Sequence, residues 1–109
     1  MNRIFQISGT TLFVLLPEEV DHHNAEQIRK EADRLMRNRT VRTIVFDFSR
    51  TDFMDSSGIG MMIGRYKTMR FLGGSVAAVN VSERMHRILS MSGLCRIMDV
   101  TREMTPISK

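Results

Sequence analysis

The strongest constraint on how this chain folds is its alternation of two periodicities. Thr43-Ile44-Val45-Phe46-Asp47-Phe48 is almost wholly β-branched and aromatic. Such a run predicts a central strand covered on both faces. Helix-period sequence flanks it on each side. Upstream, Ala25, Ile28, Ala32, Leu35 and Met36 recur at steps of three and four, which predicts a helix over about 25–38. Arg29, Lys30, Glu31, Asp33, Arg34 and Arg37 fall on its other side. Asn24 reads as the N-cap, with Gln27 three residues on and Glu26 placing negative charge in the first turn. Downstream, Ile59, Met62, Ile63, Tyr66 and Met69 make the apolar stripe of a second helix over about 57–71, stopped by Gly73-Gly74.

The remaining segments extend the pattern. Ile4–Ile7 and Thr11–Leu16, separated by Ser8-Gly9-Thr10, read as a β-hairpin closed by Pro17. Ser49–Asp55 reads as a loop and Ser75–Val79 as a buried strand. Ser82 caps a third helix, with Met85, Ile88 and Leu89 inward and Gly93 at its end. Ile97–Val100 is a last short strand. The order β-β-α-β-α-β-α-β implies an α/β domain with a mixed, mostly parallel sheet of four to five strands and three to four helices. We expect one domain over 1–109, with its core at about 4–100 and a flexible tail at 101–109.

Composition narrows the function classes. Hydrophobic residues make up 42% and charged residues 26%, as in folded soluble domains rather than disordered ones. No apolar run reaches the roughly 20 residues of a membrane span, and Leu12–Leu16 is too short for a signal peptide. The single cysteine, Cys95, permits no intrachain disulfide, lacks ligands at zinc spacing, and reads as a small buried apolar residue between Leu94 and Ile97. These features lead us to expect a soluble cytoplasmic protein without metal or cofactor. The net charge of +4 is spread along the chain without interleaved aromatics, which argues against a nucleic-acid platform and for an acidic protein partner.

The stretch with chemical content is Phe53-Met54-Asp55-Ser56-Ser57-Gly58-Ile59-Gly60, between a predicted strand and a predicted helix. Such junctions lie at the carboxyl end of a parallel sheet, where ligands bind. Asp55 and Ser56 suit an N-cap, and Gly58 and Gly60 let another surface approach. The stretch has neither the Lys-Ser/Thr of a P-loop nor the G-x-S-x-G of a nucleophile elbow. His22, His23 and His86 supply no triad order with a serine. A small serine hydrolase is therefore disfavoured. What spacing leaves open is a phosphoacceptor serine, or a plain cap with close packing. A phosphate there would add about −1.5 to −2 charge beside Asp55.

Four motifs resemble one family. Met54–Gly60 is similar to the signature of bacterial anti-sigma factor antagonists of the STAS-domain type. Asp21-His22-His23-Asn24-Ala25-Glu26 resembles their second loop, and Gly64-Arg65-Tyr66-Lys67 and Met91-Ser92-Gly93-Leu94 match as well. The resemblance covers about residues 4–100 and is greatest to the sporulation branch. One departure is Pro17-Glu18-Glu19-Val20, where a Gly-x-Leu segment is common.

The resemblance implies a single STAS domain, a monomer or weak dimer, that catalyses nothing. The unmodified form would bind an anti-sigma factor that is also a GHKL-type serine kinase, releasing a sigma factor. Phosphorylation of Ser57 would end that binding, and a PP2C-type phosphatase would restore it. Asp21, His22, His23 and Asn24, with Asp55, Ser56, Gly58, Ile59 and Gly60, would form the docking surface. The same resemblance also admits a non-switching scaffold subunit of a stressosome or a transporter-associated complex.

Overall fold

The computed structural model describes residues 4–102. The predicted tail therefore lies largely outside the described residues. The hairpin forms as expected, with β1 (Phe5–Ser8) antiparallel to β2 (Thr11–Leu15), and Gly9 turns between them at φ 61°. A positive φ is cheap only for glycine. β4 (Thr43–Asp47) pairs parallel with β2, and β6 (Ser75–Val81) pairs parallel with β4. β7 (Asp99–Arg102) closes the far edge, parallel to β6. The sheet order is β1-β2-β4-β6-β7. Three helices connect these strands: α1 (His22–Asn38), α2 (Ser56–Phe71) and α3 (Glu83–Met91).

Two short strands were not anticipated. β3 (Glu19–Val20) and β5 (Phe53–Met54) form a separate parallel pair in the register Glu19↔Phe53 and Val20↔Met54. The Pro17–Val20 segment thus leads into this second sheet. Two-residue strands are too short to show a period, so sequence pattern cannot reveal them. Thr51 anchors their approach: its buried hydroxyl donates to the Leu16 and Pro17 carbonyls at 3.3 and 2.9 Å.

The core joins one face of the sheet (Leu12, Val14, Ile44, Phe46, Val76, Ala78) to the inner faces of the helices, including Ile28, Met62, Met69, Met85 and Leu89. β4 is central, but only Ile44 and Phe46 are fully buried. Thr43, Val45 and Asp47 on its second face are half covered. Complete coverage of both faces, as the run predicts, is therefore not reached. The last strand also shifts: Leu94–Arg96 forms a turn of 3-10 helix, and pairing begins only at Asp99. Cys95, on that turn, is half-buried rather than buried. Gly73 and Gly93 take positive φ after α2 and α3, as their stop signals require.

The α2 stripe is rotated from expectation. Met61, Met62, Arg65 and Met69 are buried, while Ile59, Ile63 and Tyr66 are only half-buried. The helix packs on two sides, against α1 as well as the sheet. Arg65 faces α1, its Nε 3.1 Å from Asp33 Oδ1. A charged residue at an inward position breaks the periodicity on which the stripe was read.

Candidate functional site

β3 and β5 run side by side in register, and each ends one residue before an aspartate that caps a helix. Asp21 follows Val20 and caps α1; Asp55 follows Met54 and caps α2. The Asp55 amide donates to the Val20 carbonyl at 3.1 Å, which ties the two caps together. The two helix N-termini therefore lie next to each other at one end of the molecule. Each contributes a partial positive charge there.

At α1 the cap is Asp21, not Asn24. Asp21 Oδ1 accepts the Asn24 amide at 3.1 Å, and Asn24 Oδ1 accepts the Asp21 amide at 2.8 Å. This is a reciprocal capping box with Asn24 at its third position. Asn24 Nδ2 also donates to the Glu19 carbonyl at 2.7 Å, pinning the helix to β3. The helix thus starts three residues earlier than the apolar period suggests. Glu26 then falls beyond the first turn, where it pairs with Arg29 instead of the dipole. Gln27 Nε2 sits 3.3 Å from His23 Nε2 and plays no part in the cap. His22 and His23 are both exposed.

At α2 the predicted residues divide into two groups. Asp55 Oδ1 accepts the amides of Ser57 and Gly58 at 2.8 and 3.1 Å. Gly58 is buried, and a Cβ there would lie 2.5 Å from Met54 Cγ, 2.9 Å from Val20 Cγ1 and 3.0 Å from the Val20 oxygen. Those two residues hold the helix onto the small sheet. Ser56 and Gly60 are exposed and Ser57 and Ile59 half-exposed. A Cβ at Gly60 would meet nothing within 4 Å. The Ser57 hydroxyl takes no part in capping; its neighbour is His22 Nδ1, 3.3 Å away. A groove of about 250 Å³ opens beside it, lined by His22, Glu26 and Arg29 of α1 and by Ser57, Gly60 and Met61 of α2. Phe53, 41% exposed, lies on the adjoining strand. The structure thus places Asp21, His22, His23, Asn24, Ser56, Ser57, Ile59 and Gly60 at or near the paired helix starts, whereas Asp55 and Gly58, expected on the docking surface, are turned inward to the cap and the small sheet.

Arg29, Asp33 and Arg65 were not anticipated as neighbours of this site. Arg29 pairs with Glu26 and lies 3.5 Å from Asp33 Oδ2. The hydrogen-bonded Arg29 holds the Glu26 carboxyl below the usual carboxylate range, and Glu26 raises Arg29 in turn. Arg65 is 7% exposed. Its Nε is within ion-pair distance of Asp33, yet neither Nε nor Nη1 has a well-directed hydrogen-bond acceptor among the described residues. Burial pushes its basicity down, against the pull of Asp33. The Gly64-Arg65-Tyr66-Lys67 motif was the available signal for Arg65. Among the described residues no group of three or more His, Cys, Asp or Glu side chains could hold a metal. No described helix is long and apolar enough to cross a membrane.

A five-stranded, mostly parallel sheet with two helix starts presented side by side defines a small α/β module. The chain matches the STAS domain over residues 2–106 and belongs to that family. It is 40% identical over 89 residues to the anti-sigma F factor antagonist of Paenibacillus polymyxa, covering 82% of this chain and 76% of that one. The structure of the anti-sigma factor antagonist SpoIIAA in its unphosphorylated form superposes with a TM-score of 0.78 at 33% identity, covering 91% and 89% of the two chains. The Bacillus cell fate determinant SpoIIAA in its phosphorylated form gives a TM-score of 0.71 at 34% identity, covering 91% and 92%. The chain is thus a homologue of anti-sigma factor antagonists, a class of regulatory binding proteins.

Proposed function

We propose that this protein is an anti-sigma factor antagonist switched by phosphorylation of Ser57. The observation that carries the reading is the division of labour at the start of α2. Asp55 and Gly58 are committed inward, while the Ser57 hydroxyl is left out of the cap at an accessible surface. Homologues solved in both unphosphorylated and phosphorylated forms support it.

The unmodified protein binds an anti-sigma factor that is a GHKL-type serine kinase and displaces a sigma factor, so transcription responds, with sporulation as the setting. Asp21, His22, His23, Asn24, Ser56, Ile59 and Gly60 form the contact surface around Ser57. The kinase transfers the γ-phosphoryl group of ATP to Ser57 Oγ. The new O–P bond replaces the bond to ADP, and the hydroxyl proton leaves. The added charge lies next to Asp55 and at the centre of the contact, so binding ends. A PP2C-type phosphatase returns the hydroxyl by hydrolysis. The antagonist acts in the cytoplasm and supplies no catalysis itself.

The test is intact-mass analysis after incubation with ATP and the host's anti-sigma kinase, on wild type and Ser57→Ala in parallel. One phosphoryl group on wild type and none on the variant is expected. No transfer from a demonstrably active kinase, or equal transfer to both proteins, overturns the reading.

A further inference from the structure

We infer that a phosphoryl group on Ser57 is received by the groove between α1 and α2, with the His22 imidazole and the Arg29 guanidinium as its ligands. This rests on Ser57 as the acceptor and adds where the phosphate goes and what it displaces. The Ser57 hydroxyl already lies 3.3 Å from His22 Nδ1, at the wall of the groove. The groove holds about 250 Å³, room for several groups of water size at about 30 Å³ each. Gly60 leaves its floor open.

His22, Glu26 and Arg29 follow one another at helical steps of four and three, so they share a face of α1. Helical side chains lean toward their own N-terminus, which brings Arg29 back toward His22 and Ser57. Arg29 is presently occupied by Glu26 and Asp33. The Glu26 pair is a bidentate fork, but it is exposed to solvent, so an anion of higher charge can compete for it. A phosphate carries more charge than a carboxylate and accepts the planar guanidinium fork equally well. The exchange of Glu26 for phosphate at Arg29 is therefore favoured.

Three carboxylates also lie near Ser57, those of Asp55, Asp21 and Glu26, the last on the groove wall. The Asp55 carboxylate repels a phosphate but is turned to the Ser57 and Gly58 amides. Asp21 is engaged in its own capping box, and Glu26 loses its partner in the exchange. Both helix N-termini attract the anion. The exchange also has an inward consequence. Arg29 shares Asp33 with the buried Arg65. When Arg29 turns to the phosphate, Asp33 is left wholly to Arg65, whose guanidinium is incompletely satisfied.

The test installs phosphoserine at position 57 by codon suppression, so no kinase is needed. The second ionisation of the phosphate is then followed by phosphorus NMR across pH in the full chain. The expectation is a midpoint at least roughly half a unit below the ordinary value of about 6. His22→Gln and Arg29→Gln each return part of that shift, and Arg29→Lys retains more of it than Arg29→Gln. Both positions are at the surface, and thermal melts verify that each variant folds. Identical titration in wild type and both glutamine variants would overturn the inference. A kinase that fails to modify Ser57 would sink the functional reading alone and leave this titration standing.

Discussion

Gly58 and Gly60 sit two residues apart at the start of the same helix, yet alanine should act on them with opposite sign. At Gly58 the new methyl would meet three atoms at 3.0 Å or less. Met54 Cγ can swing aside. Val20 Cγ1 belongs to a β-branched side chain with little rotamer freedom. The Val20 oxygen is backbone and accepts the Asp55 amide, so moving it disturbs the cap as well. Overpacking of this kind costs about 1–3 kcal/mol, against a helix-propensity gain of about 1 kcal/mol for alanine over glycine. Because a backbone oxygen and a stiff valine are among the three atoms, the upper half of that cost applies, and the net expectation for Gly58→Ala is a loss of about 1–2 kcal/mol. With about 4–8 °C per kcal/mol for a small domain, the melting temperature falls by about 5–15 °C.

At Gly60 no atom lies within 4 Å of the new methyl. Only the propensity gain and the reduced freedom of the unfolded chain remain, worth about 0.5–1 kcal/mol in favour of the variant. Urea titration of the two variants beside wild type measures the contrast, expected at about 2 kcal/mol between them. If Gly58→Ala proved as stable as Gly60→Ala, the close approach of α2 to the small sheet would be wrong.

Four further outcomes follow from the same geometry. Asp55→Ala should lose about 1 kcal/mol of stability and Asp55→Asn much less, since asparagine keeps an oxygen for the two amides; denaturant midpoints decide it. Asp33→Ala strands the buried Arg65 and should cost about 2–4 kcal/mol, whereas Arg65→Met should change stability by about 1 kcal/mol or less; equal losses would show that the pair is not the buried element. The carboxyls of Glu26 and Glu31 are held below their ordinary 4.5 by hydrogen bonds from Arg29 and Arg34. Their folded values are depressed, so their stabilisation is present above pH 4.5 and fades as pH falls through the folded values. Arg29→Gln with Arg34→Gln should flatten that part of an acid unfolding curve, as 1 M salt should. Ser57→Asp should weaken binding to the kinase partner at least about tenfold, or about 1.4 kcal/mol, by titration calorimetry; unchanged affinity would sink the switch.

The hairpin, the parallel order and the three helices were legible because each spans enough residues to show its period. The glycine stops after α2 and α3 were legible because a positive φ leaves a chemical mark. What was not legible depended on partners distant in sequence. The α1 cap was assigned to Asn24 because the apolar period begins at Ala25; the true cap, Asp21, lies a turn earlier, on polar exposed residues that carry no period. The strands β3 and β5 exist only through each other. Arg65 was invisible as a core residue because its counterion, Asp33, sits on another helix. At the site itself, Asp55 and Ser56 both read as caps and Gly58 and Gly60 both as points of close approach; the structure uses only the first of each pair in that way. The 3.3 Å approach of His22 to Ser57 required the register of two strands, which no local pattern encodes.

That register also explains why charge at Ser57 can change a surface without changing a fold. The residues that secure α2, namely the Asp55 carboxylate, the Gly58 backbone and the buried face of Met61, Met62 and Met69, all act through groups other than the Ser57 hydroxyl. The Ser57 amide is bound within the cap, while its oxygen faces the neighbouring helix start. A phosphoryl group therefore breaks no hydrogen bond of the cap. In the proposed switch it would meet instead the groups that respond to charge: one imidazole, one guanidinium in an exposed ion pair and two helix N-termini. Two groups of one residue thus serve opposite ends, the backbone amide fixing the helix and the hydroxyl lying outside the cap beside His22. Ser56, one position earlier, is exposed and does not line the groove. The pairing of β3 with β5 is what sets the Ser57 hydroxyl beside the start of the second helix.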